Sequence, residues 1–308
     1  MTSDTRVPEI LDDARAYAEA GAFSGAVGVL AEDSEAVRGH AGVLPQAIAL
    51  LDTCYYQLWL EKSAADALAA VDLIFALARG RLLPDSDIDP GILERYKRAL
   101  IATGTSPLPL NRYLRHQNLI RVFALTAEIS GDVVECGCAR GLSSMELCLE
   151  IGRTRPDWRG KGFHIFDSFA GLSEPEAKDL DVTGIDAGEA QRILSMMHRG
   201  NMACSLAQVR EAFREPYPDV AFHPGWIPDS FTGLPEQRYR FVHVDVDLYQ
   251  PTLAALAYFF PRLQPGGVIA TDDYNWPGGR QAVDEFCAAN ALRRQVTSTN
   301  QAYVVRER

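Results

Sequence analysis

The chain has 308 residues, 47% of them hydrophobic and 23% charged, a balance typical of soluble globular proteins. Its formal net charge is −11 and no basic run offsets it, which argues against a nucleic-acid partner. The first residues lack an apolar signal core, and no apolar stretch reaches the roughly 20 residues that span a bilayer. We therefore expect a cytoplasmic protein with no membrane partner.

Residues 1–105 are predicted to form a helical N-terminal region. Apolar residues recur at helical spacing in residues 10–31, interrupted by Gly21, and in residues 44–62, 64–81 and 92–103. Residues 83–90 are polar and bounded by prolines, as in a linker. We expect this region to cap the following domain or to support a homo-oligomer, and a direct role in holding substrate is the alternative.

Residues 106–308 are predicted to form an α/β domain. A helix over 111–129 leads into a strand that ends at Glu135, and further strands are predicted at 162–167, 220–223, 240–245 and 267–272, before a closing hairpin at 293–297 and 301–305. Alternating strands and helices indicate a mostly parallel sheet, whose ligands bind beyond the carboxyl ends of the strands. Acids end four strands and should converge on one crevice: Glu135, Asp167, Asp245 and Asp272.

A glycine-containing turn follows the first strand, with the pattern Glu135-x-Gly137-x-x-x-Gly141 and a helical segment from Ser143 onward. Glycines let the backbone turn sharply and let a ligand approach it closely. A dinucleotide-binding turn has glycine where Glu135 stands, because a carboxylate would repel the pyrophosphate. The carboxylate instead suits a cationic amino-acid end such as that of S-adenosylmethionine. An ordinary strand–turn–helix without a ligand is the alternative.

Asp167 ends the second strand, about thirty residues beyond that turn, where a carboxylate accepts hydrogen bonds from ribose hydroxyls. Nicotinamide-binding and S-adenosylmethionine-binding folds both use an acid there, so Asp167 does not separate the two. An aspartate that merely begins a loop is the alternative.

A second group of acids follows the fourth and fifth strands, as Asp245-x-Asp247 and Asp272-Asp273. Carboxylates at neighbouring strand ends repel one another unless a cation lies between them, and an all-oxygen site suits Mg²⁺. Such an ion orients substrate hydroxyls and lowers the pKa of the one that reacts. The alternative is a set of solvated loop acids, with Asp247 as a helix cap.

Four motifs together resemble the macrocin O-methyltransferase (TylF-like) family. They are Val-Glu-Cys-Gly-x-x-Arg-Gly-x-Ser at 134–143, Phe-Asp-Ser-Phe-x-Gly-Leu at 166–172, Asp-x-Asp-Leu-Tyr-x-x-Thr at 245–252 and Asp-Asp-Tyr-x-x-x-Gly-x-Arg-x-Ala-Val-Asp-Glu-Phe at 272–286. The resemblance implies a class I methyltransferase (Rossmann-like) fold, whose seven-stranded sheet has an antiparallel last strand. It also implies S-adenosyl-L-methionine and Mg²⁺ as cofactors, and sugar hydroxyls of antibiotics as acceptors.

Carried over by position, the resemblance implies roles for individual residues. The methionine end of the cofactor would lie on Glu135, Gly137 and Ser143, the ribose on Asp167, and the adenine along 225–227. The predicted cofactor-binding residues are Glu135, Gly137, Arg140, Gly141, Ser143, Asp167, Ser168, Gly225, Trp226, Ile227 and Asp245. The matching metal ligands are Asp245, Asp272 and Asp273, and Asp245 also matches the general base. This chain departs from the family in its long helical N-terminus and in Asp-Val-Asp at 245–247, where Asp-Gly-Asp is usual.

Other candidates have two interpretations each. His243 precedes Asp245 by two positions, so it is a candidate base or a core histidine, and Asp247 is another candidate base. Arg140 is predicted to bind the cofactor carboxylate or to form a salt bridge. Candidate acceptor-binding residues are Tyr274, Trp276 and Arg280, although core packing and an Arg280–Asp284 pair are the alternatives. Residues 171–200 read as a long polar loop, typical of a lid.

The sequence therefore predicts a Mg²⁺-assisted O-methyltransferase that acts on a small hydroxyl-rich acceptor, favouring a sugar of a glycosylated secondary metabolite in antibiotic biosynthesis. A nicotinamide-dependent oxidoreductase is the first alternative, against which Glu135 and the lack of a Tyr-x-x-x-Lys pair after the fourth strand both argue. A non-catalytic binding protein that keeps the crevice is the second.

Overall fold

The computed structural model describes residues 3–84 and 88–307. The chain divides into two compact units, Met1–Leu114 and Arg115–Arg308. The sequence places the boundary slightly earlier, between residues 105 and 106. No helix within the described residues is long and apolar enough to cross a membrane.

Helices make up the first unit as far as it is described. They are α1 (Ser3–Glu19), α2 (Phe23–Glu32), α3 (Ser34–Gly39), α4 (Leu44–Leu60), α5 (Ala64–Ala78) and α6 (Pro90–Thr103). The predicted break at Gly21 is confirmed, because this glycine adopts φ +75° between α1 and α2. The centre of the predicted linker, residues 85–87, lies outside the described residues.

The helical periodicity of the first unit produces its apolar core. Leu51, Val71 and Ile74, from α4 and α5, are fully buried. The hydroxyl of Tyr55 donates to the carbonyl oxygens of Leu100 (2.9 Å) and Thr105 (3.0 Å), which ties α4 to the end of α6. The apolar side chains are thus removed from water, and the buried hydroxyl of Tyr55 has hydrogen-bond partners, as a stable core requires.

The second unit contains a seven-stranded sheet within the described residues. Its strands are β1 (Asp132–Cys136), β2 (Phe163–Asp167), β3 (Ala221–Pro224), β4 (Tyr239–Val244), β5 (Leu263–Thr271), β6 (Gln295–Val296) and β7 (Ala302–Val305). Their order across the sheet is β3-β2-β1-β4-β5-β7-β6. The first five strands run parallel, whereas β7 pairs antiparallel with β5 and β6. The predicted α/β fold with an antiparallel last strand is confirmed.

Helices surround this sheet: α7 (Arg112–Ala124), α8 (Leu142–Thr154), α9 (Ala187–Met196), α10 (Leu206–Phe213), α11 (Tyr249–Phe259) and α12 (Pro277–Ala289). Two predicted bounds in this domain differ from the structure by four or five residues. Helix α7 ends at Ala124 rather than 129, because Thr126 turns back to bond the Phe123 carbonyl oxygen. Strand β5 begins at Leu263 rather than 267, because a register shift lets Leu263 pair with Tyr239 ahead of Pro265 and Gly266.

Residues 172–201, which we name the insert, contain more structure than the predicted loop. Backbone hydrogen bonds close its base, from Leu172 N to Asn201 O and from Gly200 N to Leu172 O, both 2.9 Å. Helix α9 lies within it, and Ile193 and Met197 bury their side chains against Leu172, Leu248 and Trp276. The insert is therefore a packed element at the carboxyl ends of the strands.

Candidate active site

The turn from β1 into α8 brings backbone to the edge of a pocket. Gly137 adopts φ +81°, and a Cβ there would collide with the Asp245 carbonyl oxygen beyond β4. Its N–H donates to the Phe166 carbonyl oxygen (2.7 Å), and the Asp245 N–H donates to the Cys136 carbonyl oxygen (2.8 Å). Only glycine permits this approach, so the turn draws β1, β2 and β4 together at one point.

Asp167 organises the same turn from β2. Its Oδ2 accepts hydrogen bonds from the backbone N–H groups of Cys138 (2.7 Å) and Ala139 (3.3 Å), while Oδ1 accepts from Phe169 N (2.6 Å). The carboxylate therefore fixes two loops and also lines the pocket. Since a carboxylate accepts up to about four hydrogen bonds, acceptor capacity remains for a ligand.

The pocket lies beyond the carboxyl ends of the strands and has a volume of about 690 Å³, including its open mouth. That volume falls within the range of small-molecule sites. The predicted residues that line it are Gly137, Asp167, Ser168, Gly225, Trp226, Ile227 and Asp245. Lining residues that the sequence reasoning missed are Ala139, Phe166, Gly171, Leu172, Ser173, Met202, Val246, Asp247 as a wall residue, Leu248 and Pro251.

Four predicted cofactor-binding residues do not line this pocket. Glu135 is fully buried inside β1, and its Oε1 lies 2.8 Å from His243 Nδ1 while its Oε2 accepts a hydrogen bond from Ser144. Gly141 is the N-cap of α8, with φ +88° and Phe213 behind it. Ser143 is buried in the first turn of α8, and Arg140 is half-buried on the turn that precedes it.

The three predicted acceptor-binding residues also lie outside the pocket lining. Trp276 is buried and packs against the insert, with the Arg192 guanidinium 5.6 Å from its ring. The Tyr274 hydroxyl donates to Asp284 Oδ1 (3.0 Å). The alternative that Arg280 pairs with Asp284 was wrong: Arg280 Nε donates to the Tyr274 carbonyl oxygen (3.1 Å), and Arg294 lies 2.9 Å from Asp284.

Three of the predicted acids converge after β4 and β5. Asp245, Asp272 and Asp273 each offer a carboxylate oxygen, and these oxygens lie within 4.8 Å of one another. Arg115 forms an ion pair with Asp272 and lies 3.9 Å from Asp273 Oδ1. One arginine offsets only part of the negative charge of three carboxylates, so this group has the composition and spacing of a divalent-cation site.

The pKa values of the three acids are shifted in different directions. Burial and the charges of Asp272 and Asp273 hold the pKa of Asp245 well above its usual value. Burial and the Asp272 charge raise the pKa of Asp273 to about 6. Burial alone would raise the pKa of Asp272 as well, but Arg115 and His243 outweigh it and keep this pKa below its usual value. Such strongly shifted groups cluster at functional sites.

Asp247 neighbours the three-acid group but is not one of its members. It adopts φ +61°, a left-handed conformation that is uncommon for residues other than glycine, asparagine and aspartate, and its N–H donates to Asp273 Oδ2 (2.9 Å). The side chain is 8% exposed and lines the pocket. Burial and the neighbouring Asp273 and Asp272 charges hold the pKa of Asp247 well above its usual value. Strain of this kind concentrates at functional sites.

His243 lies beneath the acids within β4, 1% exposed. Its Nδ1 lies 2.8 Å from Glu135, whereas Nε2 has no hydrogen-bond partner within the described residues and lies 3.9 Å from Asp272 Oδ1. Burial lowers the pKa of His243, but Asp272 and Glu135 outweigh burial and raise this pKa to about 10. His243 thus fits neither a fully satisfied core histidine nor a residue that lines the pocket.

Comparisons with known proteins fit this geometry. The model of the macrocin-O-methyltransferase (TylF) family matches residues 111–306. The 8-demethyl-8-(2,3-dimethoxy-alpha-L-rhamnosyl)-tetracenomycin-C 4'-O-methyltransferase of Streptomyces olivaceus is 35% identical over 163 residues, 51% of this chain and 58% of that protein. The mycinamicin III 3''-O-methyltransferase of Micromonospora griseorubida is 32% identical over 168 residues, 53% of this chain and 63% of that protein.

The chain thus spans less than two thirds of the length of these relatives. Among solved structures, a calicheamicin methyltransferase superimposes with a TM-score of 0.50 over 71% of this chain and 93% of that one, at 17% identity. This likeness concerns the fold.

Proposed function

The chain belongs to the macrocin-O-methyltransferase (TylF) family, and from this we propose that it is an S-adenosylmethionine-dependent O-methyltransferase. We propose as acceptor a small hydroxyl-rich molecule, namely a sugar of a glycosylated secondary metabolite in antibiotic biosynthesis. The observation that carries the proposal is one pocket whose wall runs from the glycine turn and Asp167 to Asp245 and Asp247. The names of two relatives describe O-methyltransferases of a rhamnosyl tetracenomycin and of mycinamicin III.

The cofactor half of the pocket would be formed by the backbone at Gly137, the carboxylate of Asp167 and residues 225–227. Backbone at Gly137 permits close approach of the methionine portion, and Asp167 has acceptor capacity left for ribose hydroxyls. When bound, S-adenosylmethionine would supply an electrophilic methyl group for transfer from its sulfur to an acceptor oxygen, with S-adenosylhomocysteine as the product. The residues of the chain contribute orientation and exclusion of water.

The three-acid group would hold Mg²⁺ through Asp245, Asp272 and Asp273. The donor chemistry fits, because hard divalent cations prefer carboxylate oxygens and the three oxygens already converge. When bound, Mg²⁺ would lower the pKa of an acceptor hydroxyl and neutralise the acids. Arg115 would keep Asp272 ionised and ready to bind.

A general base must take the hydroxyl proton, and two aspartates compete for that role. The sequence favours Asp245, but this residue belongs to the three-acid group, and a carboxylate that ligates a cation is a weaker base. Asp247 lies outside that group, lines the pocket and has a raised pKa, so we propose Asp247 as the base and Asp245 as a ligand.

The proposal is tested by calorimetric titration with S-adenosylhomocysteine, with and without Mg²⁺. We expect micromolar binding that Asp167→Ala abolishes, and that Asp219→Ala preserves because Asp219 is exposed just before the start of β3, away from the pocket. Methyl transfer to a panel of glycosylated acceptors would then identify the substrate. If the wild-type protein does not bind S-adenosylhomocysteine in either condition, the proposed function is wrong.

The other functions make different predictions in the same experiments. An oxidoreductase would bind a nicotinamide cofactor, against which family membership argues. A non-catalytic binding protein would bind S-adenosylhomocysteine and yet transfer no methyl group to any acceptor. We also propose a homo-oligomer, which light scattering on the full chain would test.

A further inference from the structure

Glu135 lies buried in the sheet, outside the wall of the pocket. In the parallel pairing of β1 with β4, Glu135 is the register partner of His243. Its Oε1 is 2.8 Å from His243 Nδ1, and Ser144 donates to Oε2, so protein groups already use both carboxylate oxygens. The residue is fully buried and absent from the pocket wall. A buried and fully engaged carboxylate has little to offer the methionine end of a cofactor.

His243 extends this pair toward the acids. Because Nδ1 of His243 is engaged by Glu135, the second ring nitrogen, Nε2, points away from Glu135. Nε2 lies 3.9 Å from Asp272 Oδ1. This buried nitrogen has no hydrogen-bond partner within the described residues. An unpartnered buried polar atom is costly, so its position beside a carboxylate of the three-acid group calls for a role.

Asp272 is held by other groups as well. Arg115 pairs with Oδ2 and also bonds the Asp272 carbonyl oxygen (2.8 Å), while Gln301 Nε2 donates to Oδ1 (2.6 Å). These partners leave His243 as a third polar group facing the carboxylate. Outer groups of this kind commonly orient metal ligands, and their loss weakens metal binding.

We propose that Glu135 is a positioning residue of the metal centre, and that through His243 it holds Asp272 in place beside Asp245 and Asp273. The inference rests on the proposed metal-assisted function. It replaces the cofactor role that the family resemblance implies for Glu135, because the same residue cannot be tied beneath the acids and also line the cofactor pocket.

Two variants test this, Glu135→Gln and His243→Asn. Asparagine keeps a donor near the position of Nδ1 but lacks the nitrogen that faces Asp272. Mn²⁺ affinity is measured by electron paramagnetic resonance, and S-adenosylhomocysteine affinity by calorimetry without metal. We expect each variant to bind Mn²⁺ about 10–100-fold more weakly than wild type, while its S-adenosylhomocysteine affinity stays at the wild-type value.

A matched control is Asp132→Asn, because Asp132 also forms a pair with a histidine, His164 (3.1 Å), but lies at the start of β1, at the other end of that strand from the acids. It should leave Mn²⁺ affinity unchanged. The inference is supported only if Mn²⁺ affinity falls more than S-adenosylhomocysteine affinity in both test variants; an equal or smaller fall overturns it, including the case of a general loss of folding. A wild-type protein that binds no Mn²⁺ overturns the metal-assisted function as well.

Discussion

At the scale of single residues, we expect Asp245 to bind the cation and Asp247 to take the hydroxyl proton. Asp247→Asn should lower kcat by about 10²–10⁴-fold, because asparagine cannot take the hydroxyl proton, while Mn²⁺ affinity remains. Asparagine also tolerates the left-handed backbone at this position, so the fold should be preserved. Asp245→Asn should instead weaken Mn²⁺ binding. Steady-state kinetics and Mn²⁺ titration of both variants check this, and either an unchanged kcat or a loss of Mn²⁺ affinity in Asp247→Asn would contradict it.

Arg115 provides a second prediction at this scale. Its ion pair with Asp272 is largely shielded from solvent, with side-chain exposures of 27% and 16%. Arg115→Gln should therefore lower the free energy of unfolding of the metal-free protein by about 1.5–3 kcal/mol, the range for a hydrogen bond to a charged group. Arg153→Gln is the control, since its i,i+3 pair with Glu150 is surface-exposed on the arginine side and should contribute less than about 0.5 kcal/mol. Denaturant unfolding with a chelator measures both.

The residues also illustrate how far the sequence could lead. The spacing of Asp245, Asp272 and Asp273 predicted their convergence, because carboxyl ends of parallel strands meet at one edge. The orientation of Glu135 could not be predicted, because it depends on His243, which lies 108 residues away along the chain. Local spacing indicates that a carboxylate lies near the ligand crevice. Only the register between β1 and β4, which places Glu135 beside His243, shows that its carboxylate contacts the histidine and does not line the pocket.

At the scale of elements, a close contact fixes the insert to α11 and α12. Asp179 in the insert accepts hydrogen bonds from Tyr249 N (2.6 Å) and Glu176 N (2.8 Å), and a Cβ at Gly278 would collide with Asp179 Oδ1. Gly278→Ala should therefore destabilise the protein by about 1–3 kcal/mol, the usual cost of overpacking. Thermal unfolding should show this loss of stability as a lower melting temperature. Hydrogen exchange of residues 172–201 should be faster, because the insert opens more often.

Gly28→Ala is the matched control, since this helical glycine has open space around it, and alanine there should stabilise α2 by up to about 1 kcal/mol. Equal unfolding temperatures for the two variants would contradict the contact.

Helix α9 in the insert was missed because its sequence is polar and only Ile193 is buried. A local signal existed, as Asp186 accepts from Gly188 N and caps the helix. The packing of Ile193 against Leu248 and Trp276 is tertiary and not visible in that segment alone.

At the scale of the whole molecule, we expect the acid cluster to make folding stability depend on pH and on Mg²⁺. The folded-state pKa values of Asp245 and Asp247 are held well above the usual value by burial and neighbouring acids, and that of Asp273 is about 6. A carboxyl group with a raised folded-state pKa favours folding while protonated, so its contribution is lost as pH rises through that pKa. His243, with its pKa raised to about 10, loses its contribution in the same direction.

Stability of the metal-free protein should therefore fall between about pH 6.5 and pH 8.5, where Asp245, Asp247 and His243 lose their contributions, whereas the contribution of Asp273 is already lost near pH 6. The window begins there because burial and His164 lower the pKa of His223 to about 4, and the opposite contribution of His223 is complete above the unfolded histidine pKa of about 6.5. Mg²⁺ binds ionised carboxylates and removes their repulsion, so the rise in melting temperature that it causes should be larger at the higher pH. Scanning fluorimetry with chelator or Mg²⁺ measures both effects, and Asp245→Asn should flatten the metal-free pH dependence. A Mg²⁺-induced shift that is the same at both pH values would show that the ion binds away from the buried acids.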